Sequence, residues 1–329
     1  MQLALPNREE LVSRRAVFGP SQLLRDGAAE VRLRPGPDHE MPLARQLGAE
    51  GYQDYLGLPL REGARYLGLV SWATRRLQGF TPDDIGTLHE VHPVIHAMVL
   101  GRVHAEISST LLRTYLGADA GERVRQGQVQ RGDGQTLRAA LWVSDLRDFT
   151  AMSERLPRDA LLELLNASFG ELVAAVHAQG GQVLKFIGDG MLATFLSGAD
   201  DGRGACAAAL RAALSARERI NVLNEARRET GRTPVRFGLG LHFGDVMYGN
   251  IGGEDRLDFT VIGPAVNRAA RLESLCRPLL RWLLLSRDFS ERCGAPVQAL
   301  GSFDLKGVAD PFEVFGLPDT TDRVDADRG

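Results

Sequence analysis

By type and spacing, Asp145 and Asp189 are the side chains of this sequence best suited to hold a divalent cation. Asp145 closes the apolar run LRAALWVSD, and Asp189 sits between two glycines in VLKFIGDGMLATF, Val183–Phe195. The second stretch reads as a strand, a tight turn and a returning strand, with the carboxylate at the hairpin tip. Glycine on both sides lets the backbone turn sharply there. Hard oxygen ligands with few neighbours suit Mg²⁺ or Mn²⁺ ions that also ligate phosphate. Two such ions, roughly 3.5–4 Å apart, stabilise the attacking and leaving oxygens of an in-line displacement. A lone Gly-Asp-Gly triplet is equally an ordinary surface turn. Its company here is what points to chemistry.

That company is Lys185, Asn267 and Arg271. Asn267 and Arg271 stand at i and i+4 and so share one helix face. An amide can hold a ribose oxygen, and a guanidinium can neutralise charge growing on a phosphoryl group. In isolation the pair is just as well a surface Asn and a capping Arg. Lysine itself is informative: of 39 lysines and arginines, only Lys185 and Lys306 are lysine. A chain that uses arginine almost everywhere keeps a compact ammonium where a planar guanidinium cannot replace it.

The elements that must position these residues follow from pattern. LRAALWVSD is a buried strand. Pro157 opens an amphipathic helix whose Leu161, Leu164, Leu165, Phe169, Leu172 and Val176 share a face, and Gly180-Gly181 ends it. The hairpin follows, then an Ala/Arg-rich helix over Gly202–Arg228, with Arg217, Arg219, Arg227 and Arg228 read as its solvated face. Thr233–His242 alternates as a strand, Gly244 is expected to turn a hairpin, and Val246–Asn250 returns. A strand at Leu257–Ile262 feeds a helix at Pro264–Leu275, and Trp282–Leu285, Val297–Phe303 and Phe312–Phe315 supply late strands. The order β-α-β-β-α-β predicts an α+β, ferredoxin-like core with extra C-terminal strands.

Ahead of this core, Asp84–Tyr115 is helical, with Leu88, Val91, Ile95, Met98, Val103, Ile107 and Leu111 recurring every three to five residues. Pro93 is expected to kink or divide it. The stripe packs on its own domain or pairs with a second chain as a short coiled coil. Spacing leaves both open, and pairing is favoured only because the chemistry expected of the rest of the chain needs two chains. His89, His92, His96 and His104 crowd the same helix and are read as a solvated face rather than a metal site, because no cysteine or carboxylate cluster completes one.

The totals exclude several classes. At 329 residues the chain is long enough for two domains, and its formal charge of −3 offers no basic face for nucleic acid. Cys206, Cys276 and Cys293 fit neither a disulfide framework nor a Cys-x-x-Cys metal site. No secretory signal is visible at MQLALPNREE, and no run reaches the ~18 apolar residues of a membrane helix. The expectation is a cytoplasmic protein without a membrane span.

Two resemblances sharpen the reading. DYLGLPLREGARYLGLVSWAT followed by GFTPDDIGTLHEV, within Tyr52–Leu100, resembles the C-terminal half of a GAF sensor domain. Thr81 as N-cap, Pro82 at the first helical position and Asp83-Asp84 in the first turn make its helix start physically sensible. The stretches SDLRDFT, KFIGDGMLATF, GLHFGDVMYGNIGG, DFTVIGPAVNRAARLES and LKGVADPFEVF, in that order over about 137–316, resemble the class III adenylate/guanylate cyclase catalytic domain. The division expected is a partial, GAF-like α/β sensor region over 1–100, a helical and Gly-rich linker over 101–136, the cyclase domain over 137–318 and a disordered tail over 319–329.

What the cyclase resemblance implies can be stated residue by residue. Asp145 and Asp189, with the Leu146 carbonyl, hold two Mg²⁺ or Mn²⁺ ions; Lys185 reads the purine with Thr260 as its partner; Asn267 orients the ribose. Arg271 stabilises the transition state, Lys306 meets the triphosphate, and Phe149 and Thr150 border the substrate. In this family the metal aspartates come from one chain and the purine lysine, Asn and Arg from the other. A homodimer with two interfacial sites, gated by the N-terminal region, is therefore implied. Lys185 is donor-only and Thr260 can accept, which complements adenine N1 and its 6-amino group and opposes guanine. The expected reaction is ATP to 3′,5′-cyclic AMP and pyrophosphate. The alternatives are a guanylate cyclase or a weakly active or inactive nucleotide-binding regulator. A diguanylate cyclase is mimicked only by Gly252-Gly253-Glu254-Asp255. One departure from the family pattern is Asp148, where glycine is common; it places a carboxylate near the expected phosphates or points to solvent.

Overall fold

The computed structural model describes residues 19–130, 132, 134–253, 256–304 and 311–318. Lys306 and the tail over 319–329 lie outside the described residues. The chain divides into two compact units, Met1–Ser108 and Ser109–Gly329.

In the first unit, α1 (Pro20–Arg25), β1 (Val31–Leu33), α2 (Pro42–Ala49), β2 (Asp54–Glu62) and β3 (Arg65–Thr74) build a three-stranded antiparallel sheet in the order β1-β2-β3. Leu24, Val31, Leu33, Met41, Ala44 and Tyr55 form its core. The helix α3 then runs without interruption from Pro82 to Leu116, and the division between the units falls inside it. Its start is a reciprocal cap: Thr81 N and Oγ1 each donate to Asp84 Oδ2 at 2.8 Å, and Asp84 N donates back to Thr81 Oγ1 at 3.2 Å. Of the two outcomes expected at Pro93, a kink or a division, the division does not occur. A proline removes one N–H from the ladder, and the long segments on either side hold the helix as one piece.

The stripe on α3 splits in two. Ile95 and Val103 are half-buried, whereas Val91, Met98, Ile107 and Leu111 are exposed, and none of the 35 residues is fully buried. The four histidines divide as well. His89 and His104 are exposed, beside Glu30 at 2.9 Å and Glu62 at 2.7 Å. His92 and His96, read as solvated, instead have their Nε2 atoms buried, and burial pushes the His92 pKa below its ordinary value.

The second unit continues with α4 (Ala118–Arg125), β4 (Gly134–Leu146), α5 (Phe149–Arg155), α6 (Arg158–Ala178), β5 (Gln182–Ile187), β6 (Gly190–Leu196) and α7 (Arg203–Glu229). There follow β7 (Phe237–Gly252), β8 (Leu257–Ile262), α8 (Pro264–Leu275), β9 (Leu283–Ser286), α9 (Arg287–Ser290), β10 (Gln298–Phe303) and β11 (Phe312–Gly316). These strands form one sheet in the order β10-β11-β9-β7-β4-β6-β5, with β8 paired to β7. The inner four, β7-β4-β6-β5, have the strand order of the expected ferredoxin-like core.

Alternation along β4 sends Ala140 and Trp142 to one face and Ala139 and Leu141 to the other. The first face packs with Leu164 and Leu172 of α6 and Ala209 and Leu210 of α7; the second packs with Ala265 and Ala269 of α8. A strand covered on both sides reads as a continuous apolar run, which is why AALW, residues 139–142, lacks polar alternation. Among the described residues one helix, Arg158–Ala178, is long and apolar enough to cross a membrane. Leu164, Leu172, Ala175 and Val176 of that helix are buried in this core.

The hairpin expected at Gly244 is absent. β7 passes straight through it and pairs antiparallel with β4 from Gly134↔Gly249 to Leu146↔Phe237. Glycines 240 and 244 serve the helix above rather than a turn. A Cβ on Gly240 would come within 2.6 Å of Ala269 O and Glu273 N, and one on Gly244 within 3.0 Å of the Ala265 Cβ. Their bareness lets α8 lie directly on the sheet. Nor is Arg227 on a solvated face. It is 5% exposed, donates from Nε to Thr233 O at 2.7 Å and faces Glu163 at 3.6 Å.

On β7, His242 is 1% exposed, its Nδ1 lies 2.8 Å from Ser286 Oγ, and burial pushes its pKa down to about 4. The unfolded chain takes up a proton at this side chain near pH 6.5, the folded chain only near pH 4. Stability from this group therefore falls between those values, by about 2 kcal/mol from pH 7 to pH 5. Urea midpoints at the two pH values should show that loss in the natural chain and a smaller one in His242→Gln.

Candidate active site

β4 and β6 are neighbours, and Asp145 pairs with Gly190, so the end of β4 meets the β5–β6 turn. Gly188 in that turn has φ +63°, in the left-handed region that favours glycine, and Leu146 N donates to Asp189 O at 3.3 Å. The approach is close: a Cβ on Gly190 would stand 2.9 Å from Ser144 O. The hairpin tip thus delivers the Asp189 carboxyl to within hydrogen-bonding reach of Asp145. Burial, then the neighbouring Asp189 charge, push the Asp145 carboxyl up to about 6. Two carboxylates repelling each other in a half-buried cleft form a site that gains from a cation.

Among the described residues no group of three or more His, Cys, Asp and Glu side chains is arranged to hold a metal ion. The donors present are two carboxylates and the Leu146 carbonyl at the same strand end. All are hard oxygens, few enough to leave coordination positions for phosphate and water, and that set fits Mg²⁺ or Mn²⁺. Phe149 and Thr150 follow at the start of α5, Phe149 against the core and Thr150 exposed.

Asp148 explains itself locally. Its φ is +59°, the left-handed region where glycine is favoured and Asp is tolerated. Its carboxylate is held by Arg236 at 2.8 Å and faces Arg277 at 3.5 Å.

The remaining predicted residues lie elsewhere. Lys185 Nζ on β5 bonds Asp258 Oδ2 on β8 at 2.6 Å, a partner that sequence reasoning missed although it stands two residues before Thr260. Thr260 is 4% exposed, and its Oγ1 is buried with no hydrogen-bond partner among the described residues. Asn267 and Arg271 are exposed on α8, and neither side chain makes a hydrogen bond or ion pair among the described residues. One chain therefore joins Asp145 with Asp189, and Lys185 with the strand that carries Thr260. Its Asn267 and Arg271 are left unengaged.

Also missed was a buried pair beside the acidic site, Arg147 and Glu273, 3.7 Å apart. Burial pushes the Glu273 carboxyl up to about 7; Arg147 opposes that rise, and Asp145 and Asp189 add to it. A signal was available, because Glu273 falls on the inward face of α8 with Ala265, Ala269 and Leu272. A carboxylate in an apolar stripe calls for a partner.

Residues 135–280 match the family described as the adenylate and guanylate cyclase catalytic domain. An adenylate cyclase of Anabaena cylindrica is 35% identical over 192 residues, covering 57% of this chain and 36% of that protein. Adenylate cyclase 1 of Rhizobium meliloti is 30% identical over 188 residues, 56% of this chain and 28% of that protein. This chain thus spans about a third of the length of those relatives. Among solved structures, a bacterial light-regulated adenylyl cyclase superposes with a TM-score of 0.59 at 26% identity, covering 72% of this chain and 66% of that one. The adenylyl cyclase CyaB of P. aeruginosa gives 0.51 at 28% identity, covering 60% of this chain and 98% of that one. Motifs, strand order and relatives agree: residues 135–280 of this chain are a class III adenylate/guanylate cyclase catalytic domain.

Proposed function

We propose that the protein is an adenylate cyclase that converts ATP to 3′,5′-cyclic AMP and pyrophosphate at two composite sites of a homodimer. The observation that carries this reading is the meeting of the Asp145 and Asp189 carboxyls at the ends of adjacent strands. Asp145, Asp189 and the Leu146 carbonyl would hold two Mg²⁺ or Mn²⁺ ions, which supply Lewis-acid stabilisation of the attacking and leaving oxygens when bound.

The chain's own residues do the rest. Lys185, anchored by Asp258, donates to adenine N1, and the unsatisfied Thr260 Oγ1 accepts from the 6-amino group. Asn267 orients the ribose so that its 3′-oxygen lies in line with the α-phosphorus. That oxygen bonds to phosphorus, the bond to the β-phosphate bridging oxygen breaks, and the 3′-proton passes to solvent. Arg271 offsets the charge that grows on the transferring phosphoryl group, with Lys306, Phe149 and Thr150 binding the substrate. Asn267 and Arg271 stand exposed and, among the described residues, unengaged, as residues that serve a partner subunit's acidic pair would be. The exposed Val91, Met98, Ile107 and Leu111 of α3 favour pairing of two chains. The first unit, with its GAF-like strand–turn–strand and helix start, is assigned as the sensor that gates the cyclase.

Incubating the purified full chain with ATP or GTP and Mn²⁺ tests the assignment by chromatography of the products. Cyclic AMP from ATP is expected, with cyclic GMP formed at least tenfold more slowly. Equal rates would reject the adenine reading, and no product from either nucleotide would favour a nucleotide-binding regulator.

A further inference from the structure

We propose that Glu273 is a positioning residue that holds the Arg147 guanidinium off the Asp145–Asp189 pair and so keeps the pair open to divalent cations. The inference rests on reading that pair as the metal site. Arg147 stands two residues beyond Asp145, which puts a permanent cation beside two carboxylates. Arginine forms bidentate bonds with carboxylates readily. Left free, this one is a built-in competitor for the metal.

The structure turns it away. Arg147 Nη1 faces Glu273 Oε1 at 3.7 Å, and the two side chains are 13% and 11% exposed. The Arg147 N–H donates to Arg236 O at 2.8 Å, fixing the backbone from which the side chain departs. Room has been made for the pair: a Cβ on Gly238 of β7 would collide with Arg147 Nη2 and Glu273 Oε1 together. That bare position is the gap through which α8 reaches the arginine.

Stability does not account for such a pair. Among the described residues, Arg147 Nε and Glu273 Oε1 are both buried without a hydrogen-bond partner. Two desolvated charges that meet at 3.7 Å with unsatisfied atoms gain little over apolar side chains of the same volume. What the pair does fix is where a guanidinium sits relative to two acids. Glu273 lies two residues past Arg271 on the same helix, so the restraint comes from the element that presents Arg271.

The test is Mn²⁺ binding by the full chain, read as free Mn²⁺ by electron paramagnetic resonance in the presence of a non-cyclisable α,β-methylene ATP. Glu273→Gln is expected to weaken Mn²⁺ binding by about 10–100-fold, the range for residues that orient a metal's surroundings. Arg147→Gln alone should bind Mn²⁺ at least as tightly as the natural chain. In the Glu273→Gln/Arg147→Gln double variant, affinity should return to within about threefold of the natural value, because the competitor is gone. A merely structural role predicts the opposite, with no rescue and additive losses of melting temperature. Unchanged Mn²⁺ affinity in Glu273→Gln, weakened affinity in Arg147→Gln, or failure of rescue each overturns the proposal. Asp145→Asn serves as a separate control. If it leaves Mn²⁺ binding unchanged, the metal-site reading itself fails, whatever Glu273 does.

Discussion

Replacing Asp189 by alanine is expected to abolish cyclic AMP formation while the fold stands. Asp189 is half-buried at a hairpin tip, and its backbone carbonyl, not its carboxylate, makes the bond to Leu146 N. The turn depends on Gly188 at φ +63°, and alanine at the next position keeps it. Removing the carboxylate also relieves its repulsion of Asp145, so the thermal midpoint should hold or rise slightly. Turnover depends instead on charge stabilisation at the reacting phosphorus. Losing one preorganised group of that kind lowers rates by roughly 10²–10³-fold, and an essential metal carboxylate should reach at least the upper figure. Product chromatography and a thermal melt on the same sample check both halves. Residual activity within tenfold of the natural chain would remove Asp189 from the site.

The second large effect is a change of base. Lys185→Glu with Thr260→Cys should turn preference from ATP toward GTP. Lysine donates and the Thr260 hydroxyl accepts, whereas guanine presents an N1–H donor and an O6 acceptor. Thr260 is 4% exposed, so a mispaired edge has no water to relieve it. Each mismatch costs about 1–3 kcal/mol, and two of them amount to roughly 10²-fold or more in the ratio of kcat/KM values. Asp258 complicates the variant, because it now bonds Lys185 and would repel a glutamate there. Adding Asp258→Asn should therefore enlarge the shift. An ATP:GTP ratio that stays constant across these variants would refute the base assignment.

Much of the catalytic unit could be read without coordinates. Strand runs bounded by glycine located β5 and β6, Pro264 opened α8, and the order of elements led to the ferredoxin-like arrangement that the sheet has. Two of the failures share a cause. Gly244 looked like a turn, and it is a bare position under α8 in a strand of 16 residues. Arg227 looked solvated, and it reaches across to Thr233 and Glu163. Pro93 suggested a kink or a break, and it stays inside one helix. At Gly244 and Arg227 the residue's ordinary preference yielded to a neighbour distant in the chain, and at Pro93 to the helical segments on either side.

The same distinction separates the two levels of the site. Residue type and spacing determine which groups can do chemistry: two aspartates at strand ends, an amide and a guanidinium one helical turn apart, and two lysines in a chain of arginines. Local sequence carries that information because periodicity and turn chemistry act over a few residues. Which groups meet was decided only by the tertiary structure. The β4–β6 register joins Asp145 to Asp189, β8 brings Asp258 to Lys185, and α8 lowers Glu273 onto Arg147 through the gap at Gly238. These contacts span between 44 and 126 residues of sequence, where no local preference operates and burial and charge between packed elements choose the partners.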